Sequence, residues 1–337
     1  MDLNGDGQLD MISGSWPGEL FLFRGGPDRS FAAPEMLKDN NDEYINIGGG
    51  ITEQPDGSIY ITGHAEFEKT PEGTFAVYHG KRIESTTDKP ISITGTASAV
   101  HAVDWDVDGD FDLLVGDIGG SVYLIPNEGT ATSYSFGKEE QIRAGNKPLR
   151  VNGDAGPFIA DWDADGDIDL LVGDGSGGVS LFRNTGKSKT PILAAAEQLV
   201  APGSTIYGND APAEPQRGVR SKVCAADWNG DGLLDLLVGD FATQKPDLPE
   251  LTAEEKVEHA KLRKELESVQ KRFSELISKL YGPSRVKDKA ESEKLQEEMK
   301  TVSQEMQDLR GKLPPEYETH GWVWLFIRKS SEKRNDT

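Results

Sequence analysis

The sequence is short of several things that many proteins rely on. A single cysteine, Cys224, stands among 337 residues, so no disulfide can form within the chain and no thiolate cluster can hold zinc. No run approaches the roughly 20 apolar residues that a membrane-spanning helix needs, and the mean hydropathy is −0.54. Positive charge is scarce as well: 36 Lys and Arg against 58 Asp and Glu leave a formal net charge of −22. Nucleic acids and anionic membrane surfaces call for clustered cations, so neither is an expected partner. The opening Met1-Asp2-Leu3 lacks the basic and apolar stretches of an export signal. What the chain does have is glycine, 38 residues of it, and acid. With aromatics at 8%, it reads as a turn-rich but folded protein.

The acid is concentrated in four segments of one pattern: Asp2–Asp10, Asp104–Asp112, Asp161–Asp169 and Asp227–Asp235. Together they hold sixteen carboxylates in 36 residues and no Lys or Arg. Such crowding repels itself unless a cation is present. Side-chain oxygens at positions 1, 3, 5 and 9, with the backbone carbonyl of position 7, can converge on one ion, and a glycine at position 6 permits the sharp turn. The ligand candidates are Asp2, Asn4, Asp6, Gln8 and Asp10; Asp104, Asp106, Asp108, Asp110 and Asp112; Asp161, Asp163, Asp165, Asp167 and Asp169; and Asp227, Asn229, Asp231, Leu233 and Asp235. Gln8, Asp110, Asp167 and Leu233 stand at position 7 and would act through the backbone. An all-oxygen set of this size suits Ca²⁺, about four ions in all, whereas Mg²⁺ prefers to keep its waters. No matching His or Cys favours zinc.

The scaffold is not an EF-hand, which needs a Glu at position 12 and flanking helices. Each loop runs instead into a β-type segment. Asp-Leu-Leu-Val-Gly-Asp occurs identically at 112–117, 169–174 and 235–240, and the first copy reads Asp10-Met-Ile-Ser-Gly-Ser15. A second strand follows each Gly-Asp turn: Glu19–Arg24, Ser121–Pro126, Val179–Arg183 and Trp322–Arg328. Three units add a looser strand at 31–38, 134–143 and 192–200. A degenerate unit with its turn at Pro55-Asp56-Gly57 and strands at 58–63 and 74–78 lies between the first and second loops; it has no Asp ladder and so no expected metal. Repeats of short strands at about 50-residue spacing predict a propeller. The expected fold class is all-β, a five-bladed β-propeller with calcium loops, plus an inserted antiparallel α-helical hairpin.

These loops, with their Leu-Leu-Val-Gly tails and strands such as Gly178–Asn184, resemble the FG-GAP/VCBS-repeat propellers, which include integrin α-subunit heads and many secreted bacterial proteins. The resemblance covers 1–248 and about 320–330. It implies that each loop lies between a blade's first and second strands and carries Ca²⁺. It does not fix a function, because members include adhesion modules, lectins and non-catalytic parts of enzymes. Met1 falls inside the expected first strand of blade one, and the chain stops before a clear outer strand for blade five, so the sequence reads as shorter than the natural protein.

Residues 249–315 change character, with fourteen acidic and fourteen basic residues and two glycines. Thr252-Ala-Glu-Glu255 reads as a capping box. Leu262, Leu266, Val269, Phe273, Leu276 and Leu280 recur at heptad spacing, as do Leu295, Met299, Val302, Met306, Leu309 and Leu313 beyond Tyr281-Gly282-Pro283. A coiled-coil hairpin is expected. The domain boundaries are therefore 1–248 for the propeller strands, 249–315 for the hairpin, and 316–337 for the last strand and tail. The hairpin is expected to leave from the face opposite the calcium loops.

Other residues are expected to be structural. Trp105, Trp162 and Trp228 at loop position 2 suit inter-blade packing; Trp322 and Trp324 share one strand face; His64 and His101 have no nucleophile motif beside them; and Cys224 reads as a small buried residue. Asp117, Asp174 and Asp240 are expected to cap turns. The reading is a non-catalytic, calcium-stabilised module, extracellular, periplasmic or at a cell surface, that binds a protein or glycan through the face opposite the loops. Alternatives are a calcium-dependent polysaccharide lyase or hydrolase, and an architectural protein that self-associates through the hairpin.

Overall fold

Short β-type runs separated by Gly- and Asp-rich turns dictate a succession of small antiparallel sheets, and this is what the computed structural model contains. It describes residues 1–53, 58–63, 65–70, 73–78, 80–83, 91–204, 211–282, 286 and 288–329. The chain divides into two units. One comprises Met1–Thr205, Gln216–Ala242 and His320–Thr337; the other comprises Ile206–Pro215 and Thr243–Thr319. The fold is mostly β with two long helices.

Four sheets carry the repeat. The first is β1 (Met11–Gly14), β2 (Leu20–Phe23) and β3 (Glu35–Met36). Next along the chain come β4 (Gly50–Glu53), β5 (Ile59–Thr62), β6 (Glu66–Thr70), β7 (Gly73–Tyr78), β8 (Lys81–Ile83) and β9 (Ile91–Thr94). The second repeat sheet is β10 (Ala99–Val103), β11 (Asp112–Gly116), β12 (Val122–Ile125) and β13 (Glu140–Gln141). A small hairpin, β14 (Arg143–Ala144) with β15 (Lys147–Pro148), leads to the third: β16 (Gly156–Ala160), β17 (Asp169–Gly173), β18 (Val179–Phe182) and β19 (Glu197–Val200). The fourth joins β20 (Val219–Ala226), β21 (Asp235–Gln244) and the late strand β22 (Glu318–Phe326).

Sheets with two apolar faces must be covered on both, and these cover one another in chain order. Leu20, Leu22 and Leu37 of the first-sheet region share a core with Leu113, Val115 and Ile125 of the second. Leu114 and Val122 of the second meet Leu170, Val172 and Phe182 of the third. Leu171, Val179 and Leu181 of the third meet Val223, Leu236 and Val238 of the fourth. Alternation along Asp-Leu-Leu-Val-Gly thus sends the first Leu and the Val to the preceding sheet and the second Leu to the following one.

The segment expected as a degenerate blade is arranged differently. Its strands fall into two three-stranded sheets, β4-β5-β9 and β6-β7-β8, and β5 pairs with β9 in parallel. They share a small core of their own, Ile61, Ala76 and Ile83. The first and second repeat sheets pack directly, without a blade between them: Ala97 and Ser98 donate backbone N–H bonds to the carbonyls of Trp16 (2.9 Å) and Ser15 (3.0 Å). The physical reason lies in strands such as Glu66-Phe67-Glu68-Lys69-Thr70, whose polar alternation cannot supply two apolar faces. The turn at 55–57 lies outside the described residues.

In the other unit, α1 (Ala253–Tyr281) begins at a capping box: the Thr252 hydroxyl accepts from the Glu255 N–H at 3.2 Å, and the Glu255 carboxylate accepts from the Thr252 N–H at 2.8 Å. Its partner α2 (Lys289–Gly311) starts at Asp288, whose side chain accepts from the Glu291 N–H. The heptad residues meet as expected, with Val269, Leu276, Val302 and Leu309 buried between the helices. Arg272 and Glu305 add an interhelical ion pair at 3.3 Å. Among the described residues, no helix is long and apolar enough to cross a membrane.

Candidate metal centres

The four acidic loops fold by satisfying their own backbone. The carboxylate at position 1 accepts N–H bonds from the far side of each turn. Asp2 takes Gly5 and Gly7 at 2.8 Å each; Asp104 takes Asp108 (3.0 Å) and Gly109 (3.1 Å); Asp161 takes Asp165 and Gly166 (3.1 Å each); Asp227 takes Gly230 (2.7 Å) and Gly232 (3.0 Å). The position 5 carboxylate then accepts from the N–H of position 7, as Asp108 does from Asp110 at 3.1 Å and Asp165 from Asp167 at 2.9 Å. Position 6 glycines take φ values of +83, +102, +95 and +85, a region that a Cβ would strain.

Position 9 is a pin. One oxygen of Asp112 accepts from the Trp105 N–H (2.9 Å) and the other from the Asn127 N–H at the end of β12 (2.7 Å). Asp169 holds Trp162 (3.1 Å) and Asn184 (2.7 Å), Asp10 holds Leu3 (3.0 Å) and Gly25 (2.8 Å), and Asp235 holds Trp228 (3.1 Å) and Arg328 (2.7 Å). Each loop is thereby tied to its own sheet. Burial pushes the Asp112 and Asp169 carboxyls up, and these N–H bonds work against that rise.

Carboxylates converge most closely in the second and third loops. Oxygens of Asp104, Asp106 and Asp108 lie within 4.8 Å of one another, and so do those of Asp161, Asp163 and Asp165. Asp110 stands beside the first group, and its Oδ1 is buried without a hydrogen-bond partner. Burial, with the charges of Asp108, Asp112, Asp106 and Asp104 around it, pushes its carboxyl up to about 6. A lone buried carboxylate oxygen among like charges is what a hard cation relieves, so this donor set fits one. In the third loop protein cations share the acid: Arg183 donates to Asp163 at 2.5 Å and to Glu197 at 3.2 Å, and the Ser188 hydroxyl donates to Asp167. Sequence reading missed Arg183, because it lies fourteen residues beyond the loop at the end of β18. The first and fourth loops differ in kind. Their position 3 residues, Asn4 and Asn229, donate side-chain N–H bonds to Asp6 and Asp231 at 2.9 Å each.

At the opposite strand ends, the Gly-Asp turns hold as expected at two positions. Asp117 accepts from the Ser121 N–H at 2.8 Å; Asp174 accepts from Ser176 (2.8 Å) and Gly178 (3.1 Å). Asp240 reaches further, accepting from the Gly218 N–H (2.7 Å) and the Trp324 indole (2.9 Å). His101 rests against Phe158 with ring centroids 4.8 Å apart, and burial lowers its pKa, as befits a packed histidine. His64 lies outside the described residues. Trp105 and Trp162 are buried between sheets, but Trp228 is exposed, and Cys224 is exposed where burial was expected. Both lie on the side of the fourth sheet that, among the described residues, no other sheet covers.

Residues 161–238 match the family of FG-GAP-like repeats. The match supports an FG-GAP-like repeat in this stretch. It runs from the third loop through the third sheet to β21. No curated protein matches the chain. Among solved structures, similarity is found to an Agrocybe aegerita lectin whose structure concerns recognition of non-reducing terminal N-acetylglucosamine. The identity is 15%, over 76% of this chain and 67% of that one, with a TM-score of 0.28. BBS1N in complex with ARL6DN is similar at 12% identity, over 71% and 74% of the two chains, with a TM-score of 0.24. At TM-scores this low, neither likeness bears on fold or function.

Proposed function

We propose that this chain is a calcium-stabilised, propeller-type binding module that presents the strand ends opposite its acidic loops to a protein or glycan. The observation that carries the reading is the pair of carboxylate triads, Asp104/Asp106/Asp108 and Asp161/Asp163/Asp165, on identical β-strand stems. A bound cation would add charge neutralisation. The chain's own part is to hold each loop in shape through the position 1 and position 9 hydrogen bonds. The second and third loops are the tighter sites, because affinity rises with ligand charge; in the first and fourth an amide replaces one carboxylate. Extracellular calcium modules bind at about 10⁻⁴–10⁻³ M, which favours a location outside the cytosol.

The opposite ends supply the recognition surface. Trp16 and Ile118 are exposed in the turns after β1 and β11, and Arg220 and Lys222 at the start of the fourth sheet are half-exposed beside Asp154. An aromatic with a mixed set of charges suits a sugar ring or a polar peptide. Both cations are engaged with Asp154, at 2.6 and 3.2 Å, so they favour a structural over a lyase role. Melting the chain in 10 mM Ca²⁺ and in EDTA tests the metal. Each site occupied at about ten times its dissociation constant adds roughly 1.4 kcal/mol. The second arm is a glycan and peptide panel read with and without Trp16→Ala. Identical melting curves overturn the calcium reading; binding that survives Trp16→Ala unchanged overturns the assigned face.

A further inference from the structure

The second and third loops offer the same five carboxylates on the same strand, so their neighbours account for any difference between them. Position 9 fixes the register: Asp112 accepts from the Asn127 N–H and Asp169 from the Asn184 N–H, at 2.7 Å each. The turns beyond match as well. Asn127 accepts from the Gly129 N–H and Asn184 from the Gly186 N–H, and mutual backbone bonds close each turn, Thr130 with Ser133 and Lys187 with Thr190. Arg183 therefore stands where the second sheet has Pro126, and Ser188 where it has Ala131. Glu197 stands where it has Glu140, each opposite the leucine of its neighbouring strand, Leu181 or Leu124.

Both differences fall on the acid of the third loop. The Arg183 guanidinium bridges Asp163 (2.5 Å) and Glu197 (3.2 Å), and the Ser188 hydroxyl donates to Asp167. Among the described residues, the Arg183–Asp163 pair is the only salt bridge that reaches any of the four loops. The second loop has no such partner, and its Asp110 Oδ1 is buried without a hydrogen bond. One carboxylate of the Asp161/Asp163/Asp165 triad is thus already held by a cation of the chain, whereas the Asp104/Asp106/Asp108 triad is held by none.

We propose that Arg183 is an internal counter-ion of the third loop, displaced from Asp163 when calcium binds there, so that the third loop fills after the second. The inference rests on the calcium reading given above. A guanidinium kept against Asp163 would set like charge beside the incoming ion, so the two cations compete for one carboxylate. Glu197 gives the guanidinium a second carboxylate to keep, and both members of the Asp163 pair are about one-third exposed, so little desolvation opposes the exchange. An exposed pair of this kind shifts an equilibrium constant by about fivefold at most. When calcium is low, Arg183 does part of the ion's work and keeps the third loop from repelling itself.

Calorimetric titration of Ca²⁺ into the full chain tests this one loop at a time. Asp108→Ala silences the second loop and reports the third; Asp165→Ala does the reverse. The third loop is expected to bind about fivefold more weakly than the second. Adding Arg183→Gln should tighten the third loop by about fivefold and leave the second within about twofold, and Arg183→Lys, which keeps the charge, should leave the third loop weak. Melting gives an independent readout: Arg183→Gln should melt below its parent in EDTA, and the gap should close at about 10 mM Ca²⁺. Arg183→Met, which keeps the apolar stem, takes its place if that variant fails to melt cooperatively. A third-loop affinity that Arg183→Gln leaves unchanged overturns the proposal, and one that it lowers overturns it in favour of Arg183 orienting Asp163. Equal tightening of both loops assigns the effect to overall charge and overturns it too. Calcium that binds neither loop removes the underlying calcium reading, an outcome distinct from all of these, and this inference with it.

Discussion

The third and fourth sheets carry the same strand, Asp-Leu-Leu-Val-Gly-Asp, behind the same kind of loop, yet the same letters meet different surroundings. Leu171 is fully buried against the fourth sheet, while its equivalent Leu237 is only half-buried. Trp162 is packed and covered by the Arg328 guanidinium, 4.7 Å from its ring centroid, while Trp228 lies open. The loops, by contrast, are alike: position 9 pins the same two backbone N–H groups at closely matching distances in both. A local motif therefore dictates its loop and strand, and the neighbouring sheet decides what burial is worth.

The largest expected effect tests that difference head-on. Leu171→Ala should cost about 3 kcal/mol of unfolding free energy and Leu237→Ala about 1 kcal/mol, read from urea denaturation at low protein concentration. Equal losses would erase the distinction between covered and uncovered faces. The pins should behave in the opposite way. Asp169→Asn and Asp235→Asn each leave one backbone N–H without its carboxylate, so each should cost about 1–2 kcal/mol in EDTA. A pin that matters in only one sheet would show that the loops are less alike than their bonds.

A smaller effect sharpens the link between the two sheets. Burial works against the charge of Asp154, but hydrogen bonds and charges from Arg220 and Lys222 outweigh it and hold the carboxyl below its ordinary value of 3.8. Both cations are about half exposed, so solvent screening keeps the pair modest, and Asp154→Asn should cost about 1 kcal/mol at pH 7. With the folded pKa depressed, the stabilisation is present above the ordinary carboxylate value and is lost as pH falls through the folded one. The gap between wild type and variant should therefore hold from pH 7 to pH 5 and close below pH 3.8. A gap that widens in acid would contradict the pairing.

Much of this was legible in the sequence because it is local. Four Asp ladders, three identical strands, the Thr252–Glu255 cap and two heptad stripes all act over fewer than ten residues at a time, and each is found where its spacing puts it. The segment 50–94 was not legible in the same way. Its β5–β9 pairing joins strands some thirty residues apart, with β6, β7 and β8 folded between them, and no motif marks such a partnership. Cys224 misled for a related reason. Its strand alternates as a buried strand does, but burial needs a covering sheet, and pattern alone does not supply one. The gathering of three carboxylates in the second and third loops was half visible, as five carboxylates against three. The role of Arg183 was invisible until β18 brought it to Asp163.

Calcium titration by calorimetry reaches the central claim most directly. The chain should bind Ca²⁺ saturably at about 10⁻⁴–10⁻³ M with at least two sites, and Asp108→Ala/Asp165→Ala should remove those two while leaving a cooperative melt in EDTA. No saturable heat up to about 10 mM Ca²⁺, or binding that the double variant leaves untouched, would contradict it.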